Sequence, residues 1–532
     1  MAVAEALKRR GLSGGRLAWG AFAGLIVVHV VLAILLFDPK PYVGGDNAGY
    51  MILAESIRTG QGYTDIHLPN APRHAQYPPV YPTLLAFAGA LGGRLVAFKI
   101  LSAVFSTASL VLLFALGRVR LGLSGGPALV AAFGLNAVLL YYSHWVMSEA
   151  LFVLLTLVAL WASDRMLQSW RWLATSMAFA LLAYLTRAAG LPLLLALLLV
   201  LGLKRQWRHL AIAAAATVLV VGGWWVWGRL AAGEGALTYS SNFLLVDPYE
   251  PELGIVGPGE LLARSVNNIR LYAVVVLPES LGGMAPAGAV ILMALLTSLL
   301  LIALALVGWV RDVRKLRPLE LFTAFYAALI VLWPEAWTDR RFLLPLLPVL
   351  LLHGAAGLVW CLSFLRVRRQ AWALPLFGAF LAILTVPGHV RTVGYNQRCM
   401  SFHRQGDGLA CYPAPWRAFA QSALWVRANT PEDAVVVSRK PRLFYYFSGR
   451  RGEVYPFTTE DEEMFTFLDD IGAEYVLVAP LSRTTYQYLV PVILSMPERF
   501  EIVYEIGEET APAYVLKYKG AGGPGAGPRG GG

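Results

Sequence analysis

An acid sits in Gly44-Gly45-Asp46-Asn47-Ala48-Gly49-Tyr50, just after the first apolar run, and a second acid, Glu149, sits in His144-Trp145-Val146-Met147-Ser148-Glu149, where another apolar run begins. Carboxylates at the mouths of membrane segments suit one kind of chemistry, the removal of a proton from an incoming hydroxyl or amine. Each acid also has a structural reading. Asp46 stands where a helix cap accepts the first free N–H groups, and Ser148 or Glu149 fits the first turn of a span in the same way. Capping does not exclude catalysis, and an acid at the depth of Glu149 is costly in a membrane and usually paired or functional.

Cations accompany these acids. Arg187, in Leu185-Thr186-Arg187-Ala188, is the only base of a very short loop, and Arg340 and Arg341 open Asp339-Arg340-Arg341-Phe342-Leu343-Leu344-Pro345. The planar guanidinium fork matches phosphate oxygens; snorkelling to headgroups or pairing with Asp339 is the competing account. Tyr50, His74, and the Tyr77 and Tyr81 of Tyr77-Pro78-Pro79-Val80-Tyr81-Pro82 share the first long loop and are candidate substrate contacts. A metal site built from Asp65, His67, His74 or His144 has little behind it, since no tight ligand spacing is present. The sequence therefore names no cofactor, and dependence on a divalent metal ion stays open.

The elements that must position these residues are membrane helices. The chain of 532 residues is 57% hydrophobic and 14% charged. Crossing ~30 Å of hydrocarbon at ~1.5 Å per residue takes ~20 apolar residues. Eleven runs approach this length, at 17–37, 94–116, 124–143, 147–163, 172–186, 190–203, 209–229, 286–309, 319–334, 342–363 and 371–388. A net charge of +11 would suit nucleic acid, but the basic residues cluster in short loops between these runs. They are Lys8, Arg9, Arg10 and Arg16; Arg118 and Arg120; Arg165 and Arg171; Lys204, Arg205 and Arg208; Arg311, Arg314, Lys315 and Arg317; and Arg366, Arg368 and Arg369. All six clusters fall on one side, which the positive-inside rule makes cytoplasmic. A multi-pass protein of the cell membrane follows, with an uncleaved first helix, a cytoplasmic N-terminus and a C-terminus outside.

Three long segments then lie outside: 38–93, 230–285 and everything after 389. In the first, Tyr50, Leu53, Ala54 and Ile57 repeat at helical spacing opposite Glu55 and Arg58, the pattern of a helix lying in the interface plane. The second, with Asp247, Tyr249, Arg264 and Arg270, supports no fold assignment. From 413 to 519 the composition becomes that of a small α/β domain, with helices over 416–429 and 459–471 and strands at 434–438, 474–479, 501–505 and 513–518. The Gly/Pro tail 520–532 is expected to be disordered. Cys361 lies within a run; Cys399 and Cys411 lie beyond the last one, where an oxidising compartment permits a disulfide that spacing alone does not establish.

These motifs, in this order, resemble the GT-C glycosyltransferases, in particular the group of protein O-mannosyltransferases and the lipid A aminoarabinose transferase. The likeness covers about 1–390 and rests on Asp46-Asn47-Ala48-Gly49-Tyr50, Tyr77-Pro78-Pro79, Ser148-Glu149-Ala150-Leu151, Leu185-Thr186-Arg187 and Arg341-Phe342-Leu343-Leu344-Pro345-Leu346-Leu347-Pro348. It implies a transmembrane catalytic domain that moves a sugar from a polyprenyl-phosphate carrier to a lipid, glycan or protein acceptor on the non-cytoplasmic face. Asp46 would be the first-loop catalytic acid, Glu149 the second acidic position, and Arg187, Arg340 and Arg341 the partners of the carrier phosphate. Two departures stand out. Tyr77 precedes the two prolines where the aminoarabinose transferase has a lysine, and Asp46-Asn47 replaces the Asp-Glu pair of the protein mannosyltransferases. The rival class, a transporter or flippase of a lipid-linked substrate, places its acids and broken helices near the bilayer midplane, whereas the middles of these runs are almost free of charge.

Overall fold

Inside hydrocarbon only an intrahelical ladder satisfies the backbone N–H and C=O groups, so the apolar runs fold as helices. The computed structural model describes residues 2–41, 44–90, 94–231, 243–283, 288–367, 372–508 and 511–520. The tail expected to be disordered lies, but for Gly520, outside the described residues, as do Arg368 and Arg369 of the sixth basic cluster and residues 232–242 of the second long segment. Among the described residues, six helices are long and apolar enough to cross a membrane: Gly15–Leu35, Leu95–Leu121, Trp207–Ala231, Ala289–Val313, Leu347–Phe364 and Ala373–Arg404.

The other five expected runs fold as shorter helices. They are Gly125–Gly134 continued by Ala137–Tyr142, then Glu149–Ser163, Trp170–Tyr184, Leu191–Leu203 and Pro318–Leu332. A helix of 15 residues covers only about 22 Å at ~1.5 Å per residue, and burial shows why two of these pieces tolerate that. Gly125–Gly134 and Glu149–Ser163 are buried along almost their whole length. The long helices instead carry exposed apolar residues such as Val27, Ile34, Val218, Leu219, Leu292 and Leu296. These two short helices sit inside the bundle, while long ones such as Gly15–Leu35, Trp207–Ala231 and Ala289–Val313 form its lipid-facing wall.

Backbones meet directly where Ala289–Val313 packs on Leu347–Phe364. A Cβ on Gly357 would lie 1.9 Å from the Leu304 carbonyl oxygen and one on Gly308 2.1 Å from that of His353, the close approach that small residues give membrane helices. At the end of the bundle away from the first long loop, Arg120 pairs with Asp164 and, at 3.0 Å, with Glu320. This joins the ends of three helices and leaves the opposite end to carry the acids of interest.

The first-loop helix forms at Gly45–Arg58, but it differs from an interfacial helix with one wet face. Tyr50, Met51, Leu53 and Ala54 belong to the bundle core with Tyr77, Tyr81 and Leu85. Ala48 belongs to a second core with Phe419, Val426, Val436, Phe444, Leu477 and Val515. The helix is thus wedged between the bundle and the C-terminal part of the chain, and Glu55 and Arg58 pair with each other on what remains exposed.

That C-terminal part is the expected α/β unit. Strands β1 (Val436–Ser438), β2 (Tyr475–Val478), β3 (Phe500–Ile506) and β4 (Ala513–Tyr518) form one sheet in the order β1-β2-β4-β3. β1 and β2 are parallel, and the other pairs antiparallel. The helices Ala414–Asn429 and Asp461–Asp470 lie where the apolar periodicity puts them. Two pieces have no counterpart in the sequence reading, the helix Pro441–Ser448 and the π-turn Thr485–Leu489 leading into Val490–Ser495. Cys399 and Cys411 form a disulfide that ties the last membrane helix to this unit. The described part of the second long segment docks here too: Arg483 pairs with Asp247 at 3.1 Å and with Glu250 at 2.7 Å.

Candidate active site

Gly44, not Asp46, is the N-cap of the first-loop helix. Asp46 lies in its first turn and bonds elsewhere, which replaces the capping role expected from sequence. One carboxylate oxygen pairs with Arg341, and the other accepts from the Tyr77 hydroxyl at 2.8 Å. Burial works against the charge, but Arg341, the Tyr77 hydrogen bond and Arg442 outweigh it and hold the carboxyl down at about 2. The Asp46 side chain is still 30% exposed, so a substrate hydroxyl can reach it.

Glu149 is fully buried in the first turn of Glu149–Ser163. Its Oε1 accepts from Arg187 at 2.6 Å, and the same guanidinium nitrogen donates to Ser148 Oγ at 3.0 Å. The Tyr50 hydroxyl joins this group through Ser148 Oγ at 2.9 Å. Glu149 Oε2 makes no hydrogen bond among the described residues. The Arg187 loop is held against the Tyr77-Pro78-Pro79 turn by a bond from the Val80 N–H to the Leu185 carbonyl, 3.0 Å.

The two acid–arginine pairs gather around one ring. Arg341 lies 4.8 Å and Arg187 5.8 Å from the centre of Phe342, a cation–π arrangement. Arg340 points elsewhere, 3.5 Å from Glu279 and 3.8 Å from Asp339. Arg341 also lies 3.9 Å from Asp339, so the two arginines share that carboxylate, and Arg341 alone of the two reaches Asp46.

The loop residues also divide. Tyr77 touches Asp46, and its ring stacks 4.7 Å from Tyr50. His74 is buried with both ring nitrogens engaged: Nδ1 bonds Asp65 at 2.8 Å, and Nε2 accepts from the Tyr77 N–H at 2.6 Å. Burial lowers the His74 pKa, so the neutral ring acts as a prop that fixes Tyr77. Burial likewise holds His67, 3.7 Å from Asp65, down to about 3. Tyr81 is fully buried, edge-on to Tyr50 at 4.9 Å. His144 bonds only the Leu140 carbonyl among hydrogen-bond partners, at 3.1 Å. Among the described residues no group of three His, Cys, Asp or Glu side chains is disposed to hold a metal ion.

The sequence reading missed the C-terminal unit's contribution. Arg442, on Pro441–Ser448, donates to the Tyr77 hydroxyl and, at 2.9 Å, to Gln76 Oε1, and its guanidinium lies 4.9 Å from the Tyr77 ring centre. Proline at the first helical position was the available signal. The helix is only eight residues long, shorter than the ~11–18-residue window over which helical periodicity is read. Gly49 makes the contact feasible: a Cβ there would lie 2.8 Å from Tyr77 Cε2 and 3.2 Å from Arg442 Cδ. Backbone bonds complete the junction, from Gly452 to the His67 carbonyl at 2.9 Å, with the Arg451 side chain on the Pro69 carbonyl at 3.1 Å.

A bundle of long and broken membrane helices, with an acid-bearing first loop roofed by a C-terminal α/β unit, defines a class of fold. Among solved structures the chain is similar to the archaeal oligosaccharyltransferase AglB from Archaeoglobus fulgidus in complex with an inhibitory peptide and a dolichol-phosphate. The TM-score is 0.53 at 14% identity, over 93% of this chain and 74% of that one. It is also similar to ArnT from Cupriavidus metallidurans bound to undecaprenyl phosphate, with a TM-score of 0.55 at 13% identity over 93% of this chain and 98% of that one. No family model and no curated protein sequence matches. The fold is therefore the GT-C fold that the order of motifs implied.

Proposed function

We propose that this protein transfers a sugar from a polyprenyl-phosphate carrier to an acceptor on the non-cytoplasmic face of the membrane. The observation that carries this reading is the pairing of an ionised, reachable carboxylate, Asp46, with Arg341, beside a second buried pair, Glu149 and Arg187, around Phe342. The fold neighbours with bound dolichol-phosphate and undecaprenyl phosphate support a lipid-phosphate donor. The basic clusters support a cytoplasmic N-terminus, and a disulfide from the end of the last long helix to the start of the C-terminal unit suits an oxidising exterior for that unit. Residues 1–390 are then the catalytic domain, and 413–519 a second domain above it.

In this reading the carrier phosphate engages Arg187 and Arg341. As Arg341 turns toward the phosphate, Asp46 loses its counter-charge and regains basicity. The acceptor hydroxyl gives its proton to Asp46 while its oxygen bonds the anomeric carbon. The bond from that carbon to the phosphate oxygen breaks, and the carrier phosphate leaves with the electron pair. One displacement inverts the anomeric centre. Cations preplaced at the departing phosphate supply the larger part of the stabilisation, because they act on developing charge in a partly dry site.

The test is consumption of a panel of radiolabelled polyprenyl-phosphate sugars by purified membranes carrying the protein, with and without added divalent metal. Label should move from carrier to acceptor only when the protein is present. If no donor is consumed under any acceptor or metal condition, the transferase reading is wrong.

Gly49→Ala gives a finer check. Alanine favours the helix by ~1 kcal/mol, yet its methyl group would push Tyr77 off Asp46 and Arg442 off Tyr77. The expected result is a melting temperature at or near wild type with transfer reduced by up to about 10²-fold, the scale of a ~1 Å misplacement of a catalytic group. Unchanged transfer would show that the spacing at Gly49 is not part of the site.

A further inference from the structure

The turn from β1 into the helix Pro441–Ser448 carries Arg439-Lys440-Pro441-Arg442, three cations in four positions. Two of them are engaged. Arg442 is on Tyr77 and Gln76. Arg439 donates to Thr484 Oγ1 at 2.8 Å and lies 5.6 Å and 5.2 Å from the rings of Tyr249 and Phe457. Lys440 stands between them, half-buried, and its ammonium has no hydrogen bond or ion pair among the described residues.

The charged groups that act on Lys440 are Arg439, Asp46, Arg442 and Arg341. Three of the four are cations, and the carboxylate among them is already shared by Arg341 and Tyr77. Burial first, and then the neighbouring guanidiniums, bring the Lys440 pKa down to about 8 despite Asp46. A second group beside Asp46 is also unused: Asn47 is fully buried, and neither its Oδ1 nor its Nδ2 has a hydrogen-bond partner among the described residues. Leaving a buried amide unbonded and crowding an ammonium among guanidiniums both cost stability. Such costs are tolerated where a ligand settles them, and functional sites are where they collect.

We propose that Lys440 binds an oxyanion of the substrate, a phosphate or carboxylate group, on the side of Asp46 roofed by the C-terminal unit, so that this unit is part of the active site. Two sources carry such chemistry, the phosphate of the donor carrier and an acidic group on the acceptor. The transferase reading is needed only to name these sources; the anion site stands or falls on binding alone.

The experiment measures binding of inorganic sulfate, which keeps its double charge across the pH range used, to the full chain in lipid nanodiscs. Wild type is compared with Lys440→Gln and Lys440→Arg. A charge-assisted contact of ordinary strength predicts about a tenfold loss of sulfate affinity in Lys440→Gln and retention in Lys440→Arg. In wild type the affinity should also fall as pH rises through about 8, and Lys440→Arg should remove that fall because its guanidinium stays charged. A pure packing role would leave the pH profile unmoved. Sulfate affinity unaffected by Lys440→Gln, or the same pH profile in Lys440→Arg, overturns the proposal. With sulfate binding weakened, undecaprenyl phosphate supplies the second arm: weakened carrier binding in Lys440→Gln assigns the site to the donor, and unchanged carrier binding assigns it to an acidic acceptor.

Discussion

Asp46→Asn should lower transfer by about 10²–10⁴-fold, the range over which a positioned general base contributes, while carrier phosphate binds as tightly as before or more tightly. Asparagine keeps the size of the side chain and an oxygen for the Tyr77 hydroxyl, but it takes no proton and does not neutralise Arg341. Released from Asp46, that guanidinium can turn to the phosphate. Near-normal transfer by this variant would remove Asp46 as the base. The pH dependence sharpens the test. With Asp46 held at about 2 instead of 3.8, its ion pair with Arg341 contributes fully above the ordinary value and is lost only as pH falls through about 2. A carboxylate so acidic is a weak base, so Arg341 must leave it when the phosphate arrives, and its pKa must then rise. The acid limb of kcat, which reports the bound state, should therefore lie at higher pH than the limb of kcat/KM, which reports the free protein. Coincident limbs would mean that Arg341 stays on Asp46 throughout.

The residues that carry this chemistry differ in how visible they are from sequence. Asp46, Glu149, Arg187 and Arg341 stand out because a charge beside an apolar run is costly, and cost makes a residue conspicuous in a chain that is 14% charged. Their pairing is not visible: Asp46 and Arg341 meet across 295 positions, and no local pattern encodes that. The run Asp46-Asn47-Ala48-Gly49-Tyr50 reads as a helix start with small residues, and only the packing explains them. Ala48 enters the C-terminal core, Gly49 admits Tyr77 and Arg442, and Tyr50 turns to Ser148. His74 looks like a ligand or a substrate contact by type and proves to be a prop, because the proximity of Asp65 and the Tyr77 N–H is a property of the folded loop. The helices were legible from apolar run length, and the sheet from β-branched runs. The helix Pro441–Ser448, with Lys440 and Arg442 at its start, was not, since eight residues fall short of the ~11–18-residue window that periodicity needs.

Glu149→Gln should be the most damaging change to stability among the site residues. It leaves the Arg187 guanidinium, whose side chain is 14% exposed, without its counter-charge, a loss of about 3–5 kcal/mol for a broken buried pair. Transfer should fall with it by at least about 10²-fold if Arg187 is no longer aimed at the phosphate. Stability and aim are separable by a second substitution. Glu149→Gln combined with Arg187→Leu removes the orphaned charge and should recover much of the lost stability, since apolar replacement of a whole buried pair is often neutral or better. Transfer should not recover, because no guanidinium then remains beside Phe342 except Arg341. Thermal unfolding in detergent and donor consumption, measured on wild type and the two variants, read the two effects independently. If activity returned with stability in the double variant, the pair would be a structural clasp between Ser148 and the Arg187 loop, and the carrier phosphate would rest on Arg341 and the C-terminal cations alone. If stability returns without activity, Arg187 earns its place at the phosphate, and Glu149 is the group that balances its charge and keeps it pointed there until the donor arrives.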